Sequence, residues 1–241
     1  MITMLNEWYW QDIEVTDSTN NVAYNLSNNL PANKCVISAQ KQTQGRGRRG
    51  RSWISLDGNL FMSLVFKIKD KDICYLPFIT SLALLQTVKN LSSDADIGLK
   101  WPNDVLLSGA KISGILLEKG LNDCIIIGIG VNIVSSPIES KQLIYKASCL
   151  KDCGIDISRC DFLQQYLKFF DKLLNIYHEQ NFKPIRQMWL DNALFLNDKI
   201  VVNLSGKSIS GVFESIDIDG ALLLNCNGQI KKIYAGDVFK K

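Results

Sequence analysis

The sequence has few of the residues that mark several common kinds of catalytic or metal site. It contains one histidine, His178, and no Ser–His or Cys–His nucleophile arrangement is evident. Its seven cysteines are an odd number scattered along the chain, which argues against a disulfide framework. The only close set is Cys149, Cys153 and Cys160, and its spacing is not that of a zinc site. We therefore expect reduced, mostly buried thiols.

Long hydrophobic runs are also missing. The longest aliphatic stretch, residues 125–131, is interrupted by Gly128 and Gly130 and is too short to span a bilayer. The first seventeen residues have no basic start and no continuous apolar run, so they do not resemble a signal peptide. Apolar residues make up 46% of the 241 residues and charged residues 21%, as in an average globular protein. We expect a cytoplasmic protein without a membrane partner.

The excess of positive charge is confined to one short segment. The net charge is +3, and residues 45–51 hold four arginines and no acid. Removing these four charges from the total leaves −1 for the rest of the chain. A nucleic-acid-binding module would carry a broad basic face, so this distribution favours a compact anionic ligand and no DNA partner.

Hydrophobic periodicity predicts a mixed α/β domain followed by a small barrel. The predicted strands of the first domain lie at residues 8–15, 35–40, 60–67, 99–107, 111–118 and 124–133. The predicted helices lie at about 17–28, 77–91 and 161–178. Short strands at 199–204, 208–216, 221–225 and 229–234 follow, with hairpin signals at Asp219-Gly220 and Asn227-Gly228. We predict a catalytic domain over residues 1–191 and a β-barrel over residues 192–241.

The segment Gly45-Arg46-Gly47-Arg48-Arg49-Gly50 formally matches the dinucleotide fingerprint, but the fold around it does not. That motif needs a helix to begin within the loop, whereas residues 51–55 read as a strand, which argues against a dehydrogenase. Glycines permit close backbone approach, and the arginines between them supply fixed charged forks. The loop therefore suits a ligand that carries a carboxylate and a phosphate. A solvated basic turn is the alternative.

Two further segments are candidates for the same site. Lys100-Trp101-Pro102-Asn103-Asp104 places a cation and two short polar side chains around a rigid turn residue, or else forms a strand start with a packed tryptophan. Lys111 begins an apolar strand, where its charge must be paired or must reach solvent. Gly128 and Gly130 strip one face of a buried strand before Asn132, for a ligand or for tight sheet packing.

Taken together, these motifs resemble those of the biotin–protein ligase family, in the same order and at similar spacing. The segments that carry the resemblance, within residues 17–237, are Asp17-Ser18-Thr19-Asn20, the run from Gln42 to Trp53, Lys100-Trp101-Pro102-Asn103-Asp104, Lys111-Ile112-Ser113-Gly114 and Gly128-Ile129-Gly130-Val131-Asn132. The resemblance implies a class II synthetase-like catalytic domain with a seven-stranded mixed sheet and a small C-terminal SH3-like barrel. Biotin and Mg-ATP are then substrates, and no tightly bound prosthetic group is expected.

The resemblance also assigns residue roles, and Arg48 and Lys111 are the implied catalytic pair. The implied biotin contacts are Ser18, Thr19, Asn20, Gln42, Arg46, Gly47, Arg48, Lys111, Gly114, Gly128 and Gly130. The implied ATP or adenylate contacts are Arg46, Arg48, Arg49, Trp53, Lys100, Asn103, Asp104, Lys111 and Asn132. No protein motif holds a metal directly: magnesium arrives with ATP, and Asp104 is a candidate contact. Helix capping is the simpler role for Ser18 and Thr19.

The sequence departs from the family pattern in three places. There is no room for a DNA-reading helix–turn–helix before Asp17, so repression of transcription is not expected. Residues 135–150, where a loop over the adenine belongs, offer no clear aromatic match beyond the nearby Tyr145. Lys240 and Lys241 stand where the family has an arginine. A carrier domain of a biotin-dependent carboxylase is the expected partner, and a homodimer is left open.

Three rival functions follow from the same residues. A lipoate or octanoate ligase shares the architecture, but would favour a glycine-rich segment without an Arg-Gly-Arg-Arg core. A nucleic-acid-binding module is suggested by the arginines and the barrel, and a dehydrogenase by the glycine spacing. The reaction expected for the ligase needs no enzyme nucleophile, since the biotin carboxylate attacks ATP and a carrier lysine then displaces AMP.

Overall fold

The structure is a computed structural model that describes residues 2–5, 7–137 and 146–241. The first part of the chain forms β1 (Ile2–Leu5), β2 (Trp8–Thr16), α1 (Thr19–Leu26), β3 (Lys34–Gln42), β4 (Leu60–Lys67), α2 (Leu76–Leu91), β5 (Ile97–Lys100), β6 (Asp104–Leu107), β7 (Ala110–Lys119), β8 (Cys124–Val131), α3 (Arg159–Gln180) and α4 (Phe182–Leu190). The second part forms β9 (Lys199–Asn203), β10 (Ser208–Ile216), β11 (Leu222–Cys226), β12 (Gln229–Ile233) and β13 (Asp237–Lys240).

The first eight strands form one mixed sheet in the order β1-β2-β3-β4-β8-β7-β6-β5. All its neighbouring pairs are antiparallel except β2 and β3, which α1 connects as a crossover. Because β2 and β3 run in parallel, their carboxyl ends meet at one edge, with Thr16 opposite Gln42. The start of α1 therefore lies beside the end of β3.

Side chains alternate between the two faces of this sheet, and helices cover both. Ala23 of α1 packs with Cys35, Ile37, Val65 and Ile126 on one face. On the other face, the neighbouring residues of the same strands join α2, α3 and α4 in a larger core. Among the described residues, α1 is the only helix that packs on the first face, so it covers only part of that face of the sheet.

The second sheet is antiparallel throughout, in the order β12-β11-β10-β9-β13. Its apolar side chains, among them Ile200, Phe213 and Val238, belong to the same core cluster as α4. Arg186 of α4 adds hydrogen bonds to Ile216 O and to Ser215 Oγ. The predicted change of architecture falls between α4 and β9, and the boundary at residue 192 stays a prediction.

Several sequence-based predictions about the elements were wrong. Residues 99–107 are not one strand but the end of β5, a turn and β6, because Pro102 has no N–H for a ladder and the turn at Asn103 reverses the chain. Residues 51–55 form only an isolated bridge, between Arg46 and Ser52, and no strand. The sheet has eight strands and not seven, since the four residues of β1 pair with β2.

Two further elements were missed, and only the first had a signal in the sequence. Helix α4 buries Phe182, Ile185 and Trp189, which recur at helical spacing, and Pro184 is tolerated in its first turn. Strand β13 was not assigned because it is only four residues long. Both elements bear on the site, since α4 supports the second sheet and β13 carries Asp237.

The buried side chain of Asn59 joins the start of β4 to the segment after β8. Its Oδ1 accepts hydrogen bonds from the backbone N–H groups of Ile133, Val134 and Ser135, at 2.9, 3.0 and 3.2 Å. Its Nδ2 donates to Ser135 O at 2.8 Å. This amide therefore fixes the segment that follows Asn132.

We predict that Asn59→Ala lowers the free energy of unfolding by about 2–4 kcal/mol, because it leaves the buried N–H of Ile133 and the partly buried N–H groups of Val134 and Ser135 without a partner. The measurement is urea unfolding followed by circular dichroism. The matched control is Asn29→Ala, at an exposed position, which should stay within about 0.5 kcal/mol of wild type. Equal losses in the two variants would contradict this role for Asn59.

Candidate functional site

A cavity of about 380 Å³ opens on the face of the large sheet that α1 covers only in part. It is bounded by the start of α1, by the glycine–arginine loop, by the hairpin that follows β5, and by β7 and β8. Fifteen of the seventeen predicted site residues line it: Ser18, Thr19, Asn20, Gln42, Arg46, Gly47, Arg48, Trp53, Asn103, Asp104, Lys111, Gly114, Gly128, Gly130 and Asn132. Arg49 and Lys100 lie outside the lining.

The start of α1 is held at the cavity by a buried polar cluster. Gln42 Oε1 accepts hydrogen bonds from Thr19 N at 2.9 Å and from Thr19 Oγ1 at 3.2 Å. Ser63 Oγ lies 2.7 Å from Thr19 Oγ1 and 2.6 Å from Asn20 Oδ1. Ser18 is the N-cap residue of α1, but its side chain makes no capping hydrogen bond. Sequence reasoning missed Ser63, although a lone serine inside the apolar β4 is a signal.

Arg46 is tied to the helix side of the cavity through Glu118 of β7. Its Nη2 donates to Glu118 Oε2 at 2.9 Å, and its Nη1 donates to Asn21 Oδ1 at 2.8 Å. Asn20 Nδ2 donates to the same carboxylate oxygen at 2.6 Å. Glu118 was not predicted, although an acid near the end of an apolar strand needs a partner.

The middle of the loop points Arg48 into the cavity. Residues 48–50 form a single 3₁₀ turn, and no α-helix begins there, which agrees with rejection of the dinucleotide fingerprint. Arg48 Nη1 donates to Asn103 Oδ1 at 2.7 Å, and Asn103 Nδ2 donates to Ile115 O at 2.6 Å. Burial lowers the pKa of Arg48, while Asp237 and Asp104 oppose that shift.

Another part of the cavity wall is formed by Asp104, whose carboxylate lies between two lysines. Asp104 lies 2.6 Å from Lys111 Nζ and 3.5 Å from Lys100 Nζ. Burial acts to raise the pKa of Asp104, but the two cations outweigh it and hold that pKa below its usual value. Burial lowers the pKa of Lys100 to about 8. Lys111 is therefore paired, which is one of the two alternatives that the sequence left, and the buried Lys100 contacts the same carboxylate.

The glycine-lined face of β7 and β8 carries side chains from elsewhere in the chain. A Cβ on Gly130 would lie 2.3 Å from Trp53 Cε2, and one on Gly114 would lie 2.9 Å from Trp53 Cζ3. A Cβ on Gly128 would meet Asn20 Oδ1 at 2.4 Å. Of the two alternatives for Gly128 and Gly130, the structure shows close packing, by side chains that themselves line the cavity, and a ligand lying against their backbone stays a prediction. Lys111 Nζ lies 5.7 Å from the Trp53 ring centroid.

Asn132, directly after β8, is buried and lines the cavity. Asn132 Nδ2 donates to Ser148 O at 3.0 Å, and Pro137 and Ala147 also line the cavity. The expected adenine-covering segment lies partly outside the described residues, and Tyr145 is among those not described. Further lining residues that sequence reasoning did not assign are Gly50, Arg51, Ser52, Ile54, Ile115, Leu116 and Ile129.

Two negative findings concern metals and membranes. Within residues 2–5, 7–137 and 146–241, no group of three or more His, Cys, Asp or Glu side chains could hold a metal ion. None of the helices among these residues is both long enough and apolar enough to cross a membrane.

We predict that Asp104→Asn lowers the free energy of unfolding by about 2–4 kcal/mol near neutral pH, because the buried Lys100 loses its counter-charge. The folded-state pKa of Lys100 should fall further below about 8, so the neutral amine forms earlier as the pH rises. The deficit should therefore be largest at about pH 6 and smaller at about pH 9. Urea unfolding at both pH values measures it.

The exposed Asp94→Asn is the matched control, with a change within about 0.5 kcal/mol at either pH. A deficit in Asp104→Asn that matched this control, or that grew with pH, would contradict the role of Asp104 as counter-ion.

Comparison with known proteins agrees with this geometry. Residues 13–132 match the Biotin/lipoate A/B protein ligase family, and residues 195–241 match the Biotin protein ligase C terminal domain. The Bifunctional ligase/repressor BirA of Bacillus subtilis is 34% identical over 238 residues, covering 93% of this chain and 72% of that protein. The Biotin--[acetyl-CoA-carboxylase] ligase of Paracoccus denitrificans is 33% identical, covering 93% of this chain and 97% of that protein.

Solved structures give the same relationship. The Biotin protein ligase from Aquifex aeolicus, in complex with biotin and ATP, superposes with a TM-score of 0.81 and 26% identity. The match covers 98% of this chain and 99% of that chain, including both sheets. The chain therefore belongs to the biotin–protein ligase family.

Proposed function

We propose that this chain attaches biotin to a specific lysine of a biotin carboxyl carrier domain, in an ATP-dependent reaction that passes through biotinyl-5'-AMP. One observation carries the proposal: Arg48 and Lys111, from segments far apart in sequence, line one cavity with the polar start of α1. The names of the similar proteins support biotin as the acid and a carboxylase as the target.

The first step activates a poor acyl donor. The biotin carboxylate attacks the α-phosphorus of Mg-ATP, a bond forms between its oxygen and that phosphorus, and pyrophosphate leaves. Negative charge grows on the phosphate oxygens, and the two cations Arg48 and Lys111 stabilise it. The rigid partners of these side chains, Asn103 and Asp104, place both charges before the substrates react.

The second step forms the amide. The amine of a carrier lysine attacks the acyl carbon, AMP leaves with the bonding electrons, and the amine loses a proton. The anhydride is hydrolysed if water reaches it first, so the cavity must stay covered until the carrier docks. The glycine–arginine loop, held to β7 through Arg46 and Glu118, supplies this cover.

The two substrates occupy different parts of the cavity in this proposal. The polar start of α1, with Thr19, Asn20 and Gln42, suits the ureido ring of biotin, which both donates and accepts hydrogen bonds. The cationic end, with Arg48, Asn103 and Lys111, suits the phosphates. Magnesium enters with ATP, for which Asp104 is the proposed protein contact, and no resident prosthetic group is needed.

The decisive test is incubation of the protein with biotin, Mg-ATP and a biotin carboxyl carrier domain, followed by avidin detection. Pyrophosphate release without carrier reports the first step alone. Lys111→Met should slow adenylate formation on the order of a hundredfold or more, since it removes one charge from a shielded site. A carrier domain whose target lysine is replaced by arginine is the control for specific transfer.

A parallel incubation with lipoate in place of biotin tests which of the two acids is the substrate. Labelling with biotin and none with lipoate supports the proposal. Use of lipoate alone, or no ATP-dependent transfer with either acid, would overturn it.

We predict that Arg48→Gly speeds the escape of biotinyl-adenylate by on the order of tenfold or more, because it removes the guanidinium that spans the cavity to Asn103. The measurement is the retention of labelled adenylate after rapid gel filtration. Free lysines of a bystander protein should become labelled as a result.

Lys207→Gly, in an exposed turn of the second sheet, is the control and should retain the adenylate as wild type does. Unchanged retention in Arg48→Gly would argue against loop cover as the means of holding the intermediate.

A further inference from the structure

A single carboxylate of the second sheet contacts two arginines of the loop. Asp237, at the start of β13, has Oδ2 at 3.1 Å from Arg49 Nη1 and Oδ1 at 3.1 Å from Arg51 Nη2. The Asp237 side chain is 17% exposed, so it is better shielded than an ordinary surface ion pair. Arg49 Nη1 also lies 3.4 Å from Asn203 O of the adjacent strand β9.

These contacts oppose a strong local repulsion. Arg48, Arg49 and Arg51 fall within four consecutive positions, and each guanidinium disfavours the charge of the others. Arg49 and Arg51 act to lower the pKa of Arg48, after burial, whereas Asp237 is the first of the groups that act to raise it. Without a nearby acid, a folded loop would hold these charges together unfavourably.

The loop backbone is also held in a conformation that it would not favour by itself. Arg49 has φ of 56° and ψ of 39°, in the left-handed region where a non-glycine residue is uncommon. Such a conformation persists where the surrounding contacts determine it. The contacts here are those of the Arg49 side chain with Asp237 and Asn203.

The effect of Asp237 passes along the loop to Arg48. Arg51 Nε donates to Arg48 O at 3.1 Å, and Gly47 N donates to Arg51 O. Arg51, whose side chain Asp237 contacts, therefore holds the backbone on both sides of Arg48: its side chain reaches Arg48 O, and its main-chain oxygen accepts from Gly47 N. Arg48 in turn reaches Asn103 across the cavity.

We propose that Asp237 is a positioning residue, which latches the glycine–arginine loop to the second sheet and so holds Arg48 over the cavity. The predicted effect on the reaction rests on the proposed function, whereas the latch between the loop and the second sheet does not. It gives the second sheet a specific part in the reaction, as the anchor of the cover rather than as a substrate-contacting surface.

Limited trypsin digestion of the full-length protein without ligands tests the latch independently of activity. Trypsin cleaves after arginine, so the loop offers sites after Arg46, Arg48, Arg49 and Arg51. Asp237→Asn should raise the rate of cleavage within the loop about three- to tenfold, as expected for loss of two partly shielded ion pairs. Mass spectrometry identifies the cleaved bonds, and cleavage at other sites serves as the internal reference.

Two variants sharpen this comparison. Asp198→Asn removes a pair with Lys240 at 2.8 Å on the same sheet and should leave loop cleavage unchanged. Asp237→Glu keeps the charge and should restore most of the protection. Added salt should raise wild-type cleavage towards that of Asp237→Asn, because partly exposed ion pairs are screened.

The catalytic readout separates positioning from general loss of structure. In Asp237→Asn the apparent KM for biotin should rise about three- to tenfold, and the rate at which the adenylate escapes should rise by the same factor. The kcat for carrier biotinylation should stay within about twofold of the wild-type value. Unchanged loop cleavage with normal thermal unfolding would overturn the proposal. So would faster cleavage at all sites together, or failure of Asp237→Glu to restore protection.

Failure of the proposed function gives a different pattern. If wild type makes no biotinyl-adenylate, the assigned reaction is wrong, while the ratio of loop cleavage between Asp237→Asn and wild type still decides whether the latch exists.

Discussion

Repulsion among cations gathered around one cavity is the constraint on which the rest of this structure depends. Three carboxylates from three different elements offset it, and each bridges two polar partners: Asp104 takes Lys100 and Lys111, Glu118 takes Arg46 and Asn20, and Asp237 takes Arg49 and Arg51. Among the described residues, Arg48 contacts the neutral amide of Asn103 and no carboxylate. Asp237 and Asp104 favour its charged form without contacting it.

The placement of these carboxylates also explains why the residues around the cavity come from distant parts of the sequence. A carboxylate supplied by the loop itself would have neutralised the arginines locally and left the loop independent of the fold. Here the loop arginines pair with Glu118 of β7 and with Asp237 of β13 instead, so the loop contacts both sheets. The fold positions these strands through one continuous core, which makes the electrostatic arrangement a consequence of apolar packing.

Sequence reasoning predicted the features that depend on local chemistry. The buried glycine strand and the polar start of α1 follow from residue type, and so does the restriction of Lys111 to two alternatives, because a charge or a missing side chain in an apolar strand has few explanations. The partners of these residues were not predictable in the same way. Glu118 and Asp237 lie 72 and 188 residues from the arginines that they bind, and no short-range pattern encodes such a pairing. Short edge strands such as β1 fail for the related reason that four residues carry too little periodicity.

The separation between Arg49 and Asp237 has a consequence for the making of the protein. A ribosome must add 188 further residues after Arg49 before the acid that balances it exists. Until then Arg49 and Arg51 have no Asp237 to pair with, so these contacts with the second sheet form only after β13 has been made. A chain that stops before Asp237 therefore lacks the acid that pairs with Arg49 and Arg51, although it already carries the whole glycine–arginine loop.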